Sequence, residues 1–326
     1  MRLIETPDNP APPGAIVSMA SAVDGAALRV ALWRPTTEPI GTLSIFPGRA
    51  EFIEKYFETV TEALARGFIV TVMDWRGQGL STRQIANRRK GHIDDFSVFE
   101  RDIDALVRQT LEPFCPKPWF ALGHSMGGAI LLMNAQSGRS PFELLALTAP
   151  MIDIWGIRLP RAGRLLAESL DALGFGGAFV PFGKADSVMS KPFEGNVLTG
   201  DPRRYARSAA VLAADADLGL GDPTIGWAHA AFRLIDQFAD AEYPRRILTP
   251  TLIFSAGDDH VVDARAVERF AARLKAGRAI SLTGARHEIL MERNSIRDLF
   301  WAGFDAFIPG TAQSEQEAES VSSAPR

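Results

Sequence analysis

The sequence contains little cysteine, since Cys115 is the only one among 326 residues. A single thiol cannot form an internal disulfide, so the composition gives no sign of an oxidising compartment. Because no base adjoins it in the sequence, we predict that Cys115 is inert rather than catalytic. Positive charge is also scarce: the formal net charge is -4, and no dense basic cluster occurs beyond Arg88-Arg89-Lys90. These features argue against nucleic-acid binding.

Long apolar runs are missing as well. No segment has the uninterrupted stretch of about 20 apolar residues that a membrane helix needs. The segment from Met1 to Gly14 is rich in proline and lacks the apolar centre of a secretory signal. We therefore expect a soluble, cytoplasmic protein without stable membrane anchoring. Residues 310–326 contain almost no bulky apolar side chains, which predicts a disordered tail.

The chain does contain a regular alternation of apolar strands with amphipathic helices, which is typical of a doubly wound, mostly parallel sheet. Asp24-Gly25 predicts a hairpin turn between the first two strands. The predicted strands are 16–21, 27–34, 42–46, 68–73, one that begins at Trp119, 144–149, 251–255 and 279–282. The predicted helices include Ile53–Leu64, a segment from Phe96 to Val107, 263–276 and a last one near 295–308.

The alternation stops after Pro150 and resumes at Thr251. We predict that residues 151–242 form a mainly helical cap, inserted into an α/β core made of 1–150 and 243–309. An insertion after the carboxyl end of a strand lies above the place where such sheets bind ligands. The cap contains an apolar stretch that could line an acyl-chain pocket, although such a stretch more often packs a cap onto its core. Its members are Leu165, Leu166, Leu170, Leu173, Phe175, Phe179 and Phe182.

The most informative motif is Gly123-His124-Ser125-Met126-Gly127, which lies between an apolar strand and an apolar helical run. In this setting a G-x-S-x-G sequence forms a nucleophile elbow, whose tight turn lifts the serine hydroxyl above the sheet. Glycines flank the serine because a Cβ atom there would collide with the neighbouring strand or helix. The motif alone is common by chance, and its strand and helix context make Ser125 a candidate nucleophile.

A serine hydroxyl needs a base within hydrogen-bonding reach and an acid that orients this base. In this type of sheet the three residues follow in the order serine, acid, histidine, each on a loop after a strand. His287 follows the strand 279–282 and is the predicted base. His260 adjoins two acidic residues and is predicted to be a loop residue. The other histidines are expected to have packing, structural or surface roles: His92, His124 and His229.

The acid is expected on the loop after the strand 251–255, where three aspartates compete. Asp263 precedes a helical run and is best explained as its N-cap. Asp258 and Asp259 both remain candidates. We favour Asp259 because it directly precedes the apolar pair after His260.

Acyl transfer also requires donors aimed at the developing oxyanion. The backbone N–H of Met126, directly after the nucleophile, supplies one. The second is expected from the loop Pro47-Gly48-Arg49, through the N–H of Arg49, because this loop follows the strand that would lie beside the elbow. From the residues alone, a simple turn is an equally good interpretation of Pro47-Gly48.

These elements together resemble the α/β-hydrolase superfamily, and within it the lysophospholipase and monoacylglycerol-lipase-like serine hydrolases. The resemblance extends from Val17 to Ile308 and is weakest over the cap. It is carried, in order, by residues 46–52 (FPGRAEF), 74–81 (DWRGQGLS), 123–128 (GHSMGG), 257–263 (GDDHVVD) and 287–292 (HEILME). The resemblance implies an α/β-hydrolase fold, with no metal or organic cofactor. It implies these roles: Ser125 as nucleophile, Asp259 as acid, His287 as base, and Arg49 and Met126 as backbone oxyanion donors.

The chain departs from the pattern of this family at two positions. Pro47 replaces the histidine that usually begins the oxyanion stretch and braces its loop, which puts the rigidity of the loop in question. Gln78 stands where the family often has another histidine, and we expect this change to affect only local packing.

We predict a serine hydrolase that cleaves a carboxylic ester through an acyl-enzyme. The resemblance favours a lipophilic monoester, such as a lysophospholipid or a monoacylglycerol, as its small-molecule substrate. A short-chain ester, a thioester or an amide is an alternative substrate, and acyl transfer to an alcohol is an alternative reaction. A non-catalytic ligand-binding homologue is a further alternative. The intact set of Ser125, Asp259 and His287 argues against it.

Overall fold

The computed structural model describes residues 2–156 and 160–311. Within these ranges the chain forms an eight-stranded sheet in the order β1-β2-β4-β3-β5-β6-β7-β8. The strands are β1 (Ile16–Ser21), β2 (Ala27–Trp33), β3 (Gly41–Phe46), β4 (Phe68–Met73), β5 (Trp119–His124), β6 (Leu144–Thr148), β7 (Thr251–Ala256) and β8 (Gly277–Leu282). Every predicted strand is therefore present, with ends that shift by one or two residues.

The sheet is mostly parallel. The hairpin strand β1 pairs antiparallel with β2, and β2 pairs antiparallel with β4. From β4 to β8 every neighbouring pair is parallel. Strands β3, β4, β5 and β7 are buried along their whole length, as expected when helices cover both faces of a parallel sheet. The predicted α/β-hydrolase fold is confirmed.

Helices connect the parallel strands. They are α1 (Phe57–Ala65), α2 (Val98–Leu106), α3 (Glu112–Phe114), α4 (Met126–Gln136), α5 (Pro160–Leu170), α6 (Pro202–Ala214), α7 (Ile225–Ala239), α8 (Ala264–Ala271) and α9 (Asn294–Phe307). The helix predicted over 263–276 is shorter, because α8 ends at Ala271 and a turn follows it. Its N-cap is Asp263, whose carboxylate accepts the N–H of Ala266 at 3.0 Å, as predicted.

The described residues between β6 and β7 form α5, α6, α7 and irregular segments. The two later helices pack differently. Side chains of α7, among them Trp227, Leu234 and Phe238, belong to the main hydrophobic core. Leu212 of α6 belongs to a second cluster, which also contains Phe52 from the loop after β3. The boundaries 1–150, 151–242 and 243–309 for core, cap and core remain a proposal.

The apolar stretch predicted within 165–182 does not pack as expected. Five of its members are exposed: Leu165, Leu166, Leu173, Phe175 and Phe182. The expectation that the stretch packs the cap onto the core is therefore wrong for these five side chains. Only Leu170 and Phe179 are half-buried.

Among the described residues, no helix combines the length and the apolar character required to cross a bilayer. The cytoplasmic location expected from the sequence stays a prediction. The predicted tail falls, from residue 312 onward, outside the described residues.

Candidate active site

Ser125 lies in a strained turn between β5 and α4. Its backbone has φ 50° and ψ -114°, an unfavourable conformation for a residue with a side chain. The Ser125 N–H donates to the Thr148 carbonyl at 3.0 Å, and the Ser125 carbonyl accepts the N–H of Met151 at 3.0 Å. These bonds to β6 and to the loop after it hold the turn in place, so the geometry of a nucleophile elbow is present.

The glycines on either side of Ser125 leave room for this turn. A Cβ atom on Gly127 would lie 2.2 Å from the Phe46 carbonyl oxygen and 2.7 Å from that of Pro47. On Gly123 it would lie 2.7 Å from a methyl carbon of Leu131. The predicted reason for the flanking glycines is therefore confirmed.

The structure brings Ser125, His287 and Asp259 into one hydrogen-bonded row. The Ser125 hydroxyl lies 3.0 Å from Nε2 of His287. On the other side of the ring, Nδ1 lies 2.8 Å from Oδ2 of Asp259. All three residues are buried, with 8%, 4% and 6% of their surfaces exposed. Because an ionised carboxylate only accepts, Nδ1 carries the proton and the lone pair of Nε2 faces the serine hydroxyl.

Hydrogen bonds within its own loop hold the Asp259 carboxylate in place. Its other oxygen, Oδ1, accepts the N–H groups of Val261 at 2.8 Å and Val262 at 3.0 Å. Burial raises the pKa of this carboxyl, but the nearby His287 and these hydrogen bonds outweigh burial, so the pKa lies below its usual value. The carboxylate is therefore ionised at neutral pH and available to orient the ring.

The side chain of Asp258, the alternative acid, contacts His260, whereas His287 contacts Asp259. Its side chain is 55% exposed, and its Oδ1 lies 3.1 Å from Nε2 of His260. Only its backbone serves the site, because the Asp258 N–H donates to the Ala285 carbonyl at 2.8 Å and so joins the two loops. His260 is the exposed loop residue that the sequence predicts.

The backbone N–H groups of the two expected oxyanion donors are not used for hydrogen bonds within the described fold. In the described part of the chain, neither the N–H of Arg49 nor that of Met126 makes a hydrogen bond. By contrast, the Gly48 N–H donates to Oε2 of Glu51 at 2.5 Å. A Cβ placed on Gly48 would lie 3.2 Å from that of Ser125, so the loop contacts the nucleophile. This geometry favours Arg49 over Gly48 as the donor.

Gln78 makes hydrogen bonds to the backbone of residues 48–51. Its amide nitrogen donates to the carbonyl oxygens of Gly48 at 2.7 Å and Glu51 at 3.1 Å, and its amide oxygen accepts the N–H of Ala50 at 3.3 Å. The expectation that Gln78 affects only local packing is therefore wrong. With Pro47 in place of a histidine, side chains outside the loop make its hydrogen bonds.

His124 packs beside the reactive histidine. Its Nδ1 lies 3.1 Å from both the carbonyl and the hydroxyl oxygens of Thr148, and its ring centre lies 4.9 Å from that of His287. Burial lowers the pKa of His124 to about 4, although Glu51 opposes this change. The ring is therefore neutral at pH 7 and serves packing, as the sequence predicts.

The other residues that the sequence predicts to have no catalytic role lie apart from Ser125, His287 and Asp259. His92 bonds to Thr224, and His229 lies 2.8 Å from Asp171. Cys115 is buried, which raises the pKa of its thiol to about 11 and keeps it protonated at neutral pH. No group of three or more metal-binding side chains occurs within residues 2–156 and 160–311.

Sequence reasoning missed a second set of buried polar residues next to the site. Glu51, Lys55 and Glu288 form an ion cluster next to the loop Pro47-Gly48-Arg49, which we call the oxyanion loop. The spacing of Glu51 and Lys55, four residues apart, is the usual signal for a helical ion pair. The contact of Lys55 with Glu288 is long-range and has no local signal.

Most of the chain, residues 37–294, matches the family described as serine aminopeptidase, S33. The chain belongs to this family. The chain is 33% identical to lysophospholipase L2 of Escherichia coli strain K12 over 270 residues. The match covers 78% of this chain and 76% of that protein. Both names denote hydrolases, so the chain is a hydrolytic enzyme.

Two solved structures are similar to this member of the family. The first is a soluble variant of monoglyceride lipase from Saccharomyces cerevisiae with a substrate analogue (TM-score 0.69, 18% identity, 92% of this chain and 97% of that one). The second is a carboxyl esterase from Bacillus coagulans with glycerol (TM-score 0.71, 18% identity, 91% and 98%). At this identity the likeness supports the α/β-hydrolase fold alone.

Proposed function

We propose that this protein hydrolyses carboxylic esters through an acyl-enzyme formed on Ser125. The observation that carries the proposal is the hydrogen-bonded row of Ser125, His287 and Asp259, with separations of 3.0 Å and 2.8 Å. The favoured substrates are lipophilic monoesters such as lysophospholipids or monoacylglycerols. This substrate class is supported by the similarity to lysophospholipase L2 and by shorter matches to monoglyceride lipases, including the human enzyme.

Acylation begins when Nε2 of His287 takes the proton of the Ser125 hydroxyl. The serine oxygen attacks the ester carbonyl carbon, and the carbonyl oxygen becomes an oxyanion. The free N–H groups of Met126 and Arg49 donate to this oxyanion. His287 is now an imidazolium, which the ionised Asp259 stabilises. The bond to the alcohol then breaks, and His287 gives its proton to the leaving oxygen.

Deacylation repeats these steps with water. His287 takes a proton from a water molecule, whose oxygen attacks the acyl carbon. The second tetrahedral intermediate collapses, its bond to Ser125 breaks, and His287 returns the proton to the serine oxygen. The products are a carboxylic acid and the alcohol part of the substrate.

A substrate screen with the purified protein tests this proposal. We expect hydrolysis of nitrophenyl esters with a preference for decanoyl over acetyl chains, and release of fatty acid from lysophospholipid or monoacylglycerol. Ser125→Ala should abolish both activity and labelling by a fluorophosphonate. Ser137→Ala, at the other end of α4, is the matched control and should keep both.

Two results would contradict parts of the proposal. A preference for acetyl over decanoyl esters would remove the lipophilic substrate and leave a short-chain esterase. Absence of fluorophosphonate labelling in the folded wild-type protein would remove serine catalysis altogether.

A further inference from the structure

A buried cluster of charges lies directly below the oxyanion loop, outside the row of Ser125, His287 and Asp259. The Lys55 ammonium is 2.6 Å from Oε1 of Glu51 and 2.6 Å from Oε1 of Glu288. The three side chains are only 1%, 5% and 9% exposed, respectively. Burying ionisable groups is costly unless each has close partners, and burial raises the pKa of Glu288, so a cluster of this kind needs a specific reason to be present.

Glu51 is the centre of the contacts. Its Oε1 accepts from Lys55, and its Oε2 accepts the N–H of Gly48 at 2.5 Å and the hydroxyl of Tyr56 at 2.5 Å. Burial raises the pKa of Glu51, but Lys55, His124 and these hydrogen bonds outweigh it and lower the pKa to about 2. The side chain is thus a carboxylate, which can accept on both oxygens at once.

The hydrogen bond from the Gly48 N–H to Glu51 decides which N–H group of the oxyanion loop stays free. Because Glu51 occupies the N–H of Gly48, the peptide N–H that remains free is that of the next residue, Arg49. The following residue, Ala50, has φ 63°, a conformation that needs support from its surroundings. In this chain the loop begins with Pro47, whose ring cannot brace it by a hydrogen bond.

The other end of the cluster reaches the loop of the base. Glu288 directly follows His287, and its N–H donates to the Leu198 carbonyl at 2.7 Å. Lys55 therefore links, through two contacts of 2.6 Å, the loop that holds the Arg49 N–H to the loop that holds His287.

We propose that Glu51 is a positioning residue for ester hydrolysis. It aims the Arg49 N–H at the oxyanion by holding Gly48, and through Lys55 and Glu288 it keeps the oxyanion loop in register with His287. This role rests on the proposed function, because it requires an oxyanion to form beside Ser125.

Glu51→Gln tests this role with little change in volume. An amide has one acceptor oxygen, so it cannot serve Lys55 on one side and Gly48 and Tyr56 on the other. We expect kcat for a decanoyl nitrophenyl ester to fall about 100-fold, a loss that a misplacement of about 1 Å can cause. KM should stay within about twofold, because the lost interaction acts in the transition state.

A thionoester distinguishes positioning from general damage. Its transition state carries the negative charge on sulfur, which accepts hydrogen bonds weakly, so it depends little on the oxyanion donors. Glu51→Gln should therefore lower the ratio of kcat/KM for the oxygen ester to that for the thionoester. The matched control is Glu54→Gln, a buried carboxylate that instead accepts from Arg29 and the N–H of Ile4. It should lower the Tm without changing the ratio.

The proposal is overturned if Glu51→Gln keeps its kcat, or loses it with an unchanged ratio. Should this variant fail to fold, Tyr56→Phe decides, since it removes one donor to Glu51 and keeps the ring. A lower ratio in Tyr56→Phe supports the role, and an unchanged ratio overturns it. Wild-type protein that neither hydrolyses esters nor reacts with a fluorophosphonate would overturn the proposed function itself, and this role with it.

Discussion

The Asp259 carboxylate lies 2.8 Å from Nδ1 of His287, while its second oxygen accepts the N–H groups of Val261 and Val262. One oxygen is thus fixed by the backbone of its own loop, and the other orients the ring. Asp258, its neighbour in the chain, has an exposed side chain that contacts His260. Two aspartates with the same local sequence context therefore have different tasks.

Asp259→Asn and Asp258→Asn form a matched pair that tests this difference. An asparagine at 259 can present its NH₂ group to Nδ1 and so favour the wrong ring tautomer. We expect kcat to fall by about 10³–10⁴. Asp258→Asn should keep kcat within about twofold, as exposed substitutions commonly do. Steady-state kinetics on a nitrophenyl ester measures both, and equal losses in the two variants would contradict the assignment.

Much of the sheet could be predicted from the sequence because its signals are local. Strand β4 is an unbroken run of apolar and β-branched residues, and its predicted ends agree with the structure. The elbow could also be predicted, because a serine at φ 50° between two crowded glycines leaves a characteristic pattern. The N-cap role of Asp263 follows from the same kind of local signal, a polar residue directly before a helical run.

Polar contacts across the fold could not be predicted in this way. Gln78 and Glu288 are far from the oxyanion loop in sequence, and only the packed sheet brings them to Gly48 and Lys55. The same reason explains the wrong expectation for the apolar stretch. Whether Phe182 is covered or fully exposed depends on which element packs beside it, and no local pattern contains that information.

Gln78→Glu should weaken catalysis by loosening the oxyanion loop. The new carboxylate can still accept the N–H of Ala50, but it loses the amide donors to the Gly48 and Glu51 carbonyl oxygens and repels them. We expect kcat to fall about 10- to 100-fold with little change in KM. The control is Gln237→Glu, an exposed position on α7. Unchanged kcat in Gln78→Glu would show that these hydrogen bonds do not hold the loop.

Two glycine-to-alanine substitutions should have opposite effects on stability. Gly127→Ala places a Cβ 2.2 Å from a backbone oxygen of β3, so it should destabilise the fold by about 3 kcal/mol, the upper end of the usual cost of overpacking. Gly163→Ala lies within α5, where a Cβ meets nothing within 4 Å, and should stabilise by about 0.5–1 kcal/mol. Urea unfolding followed by circular dichroism measures both. A tolerated alanine at 127 would contradict the crowding at the elbow.

The guanidinium of Arg29 joins two buried carboxylates and should be essential for stability. It donates to both oxygens of Glu54, at 2.7 Å and 2.8 Å, and to Oδ2 of Asp74 at 2.7 Å. All three side chains have 0% exposure. Arg29→Met leaves two buried carboxylates without their cation, at a cost of about 3–5 kcal/mol.

Arg245→Met is the matched control for Arg29→Met. Its ion pair with Glu242 is exposed, with 56% of each side chain accessible. Exposed pairs contribute little, so we expect a change within about 0.5–1 kcal/mol. Denaturant midpoints at pH 7 give both values, and similar midpoints for the two variants would show that burial adds nothing to the Arg29 cluster.

His124 should make the folded state sensitive to mild acid. Its pKa falls from about 6.5 to about 4 on folding, chiefly because the ring is buried. Between these two pH values the ring binds a proton in the unfolded chain but not in the folded chain. The contribution of His124 to the free energy of unfolding is therefore complete above pH 6.5 and is lost as the pH falls towards 4. The full loss of unfolding free energy is about 3 kcal/mol.

His124→Asn removes this titration, and its unfolding free energy should therefore fall less steeply over this range than that of the wild type. Denaturation curves at successive pH values measure the slopes, and parallel slopes for His124→Asn and the wild type would contradict a neutral, buried His124.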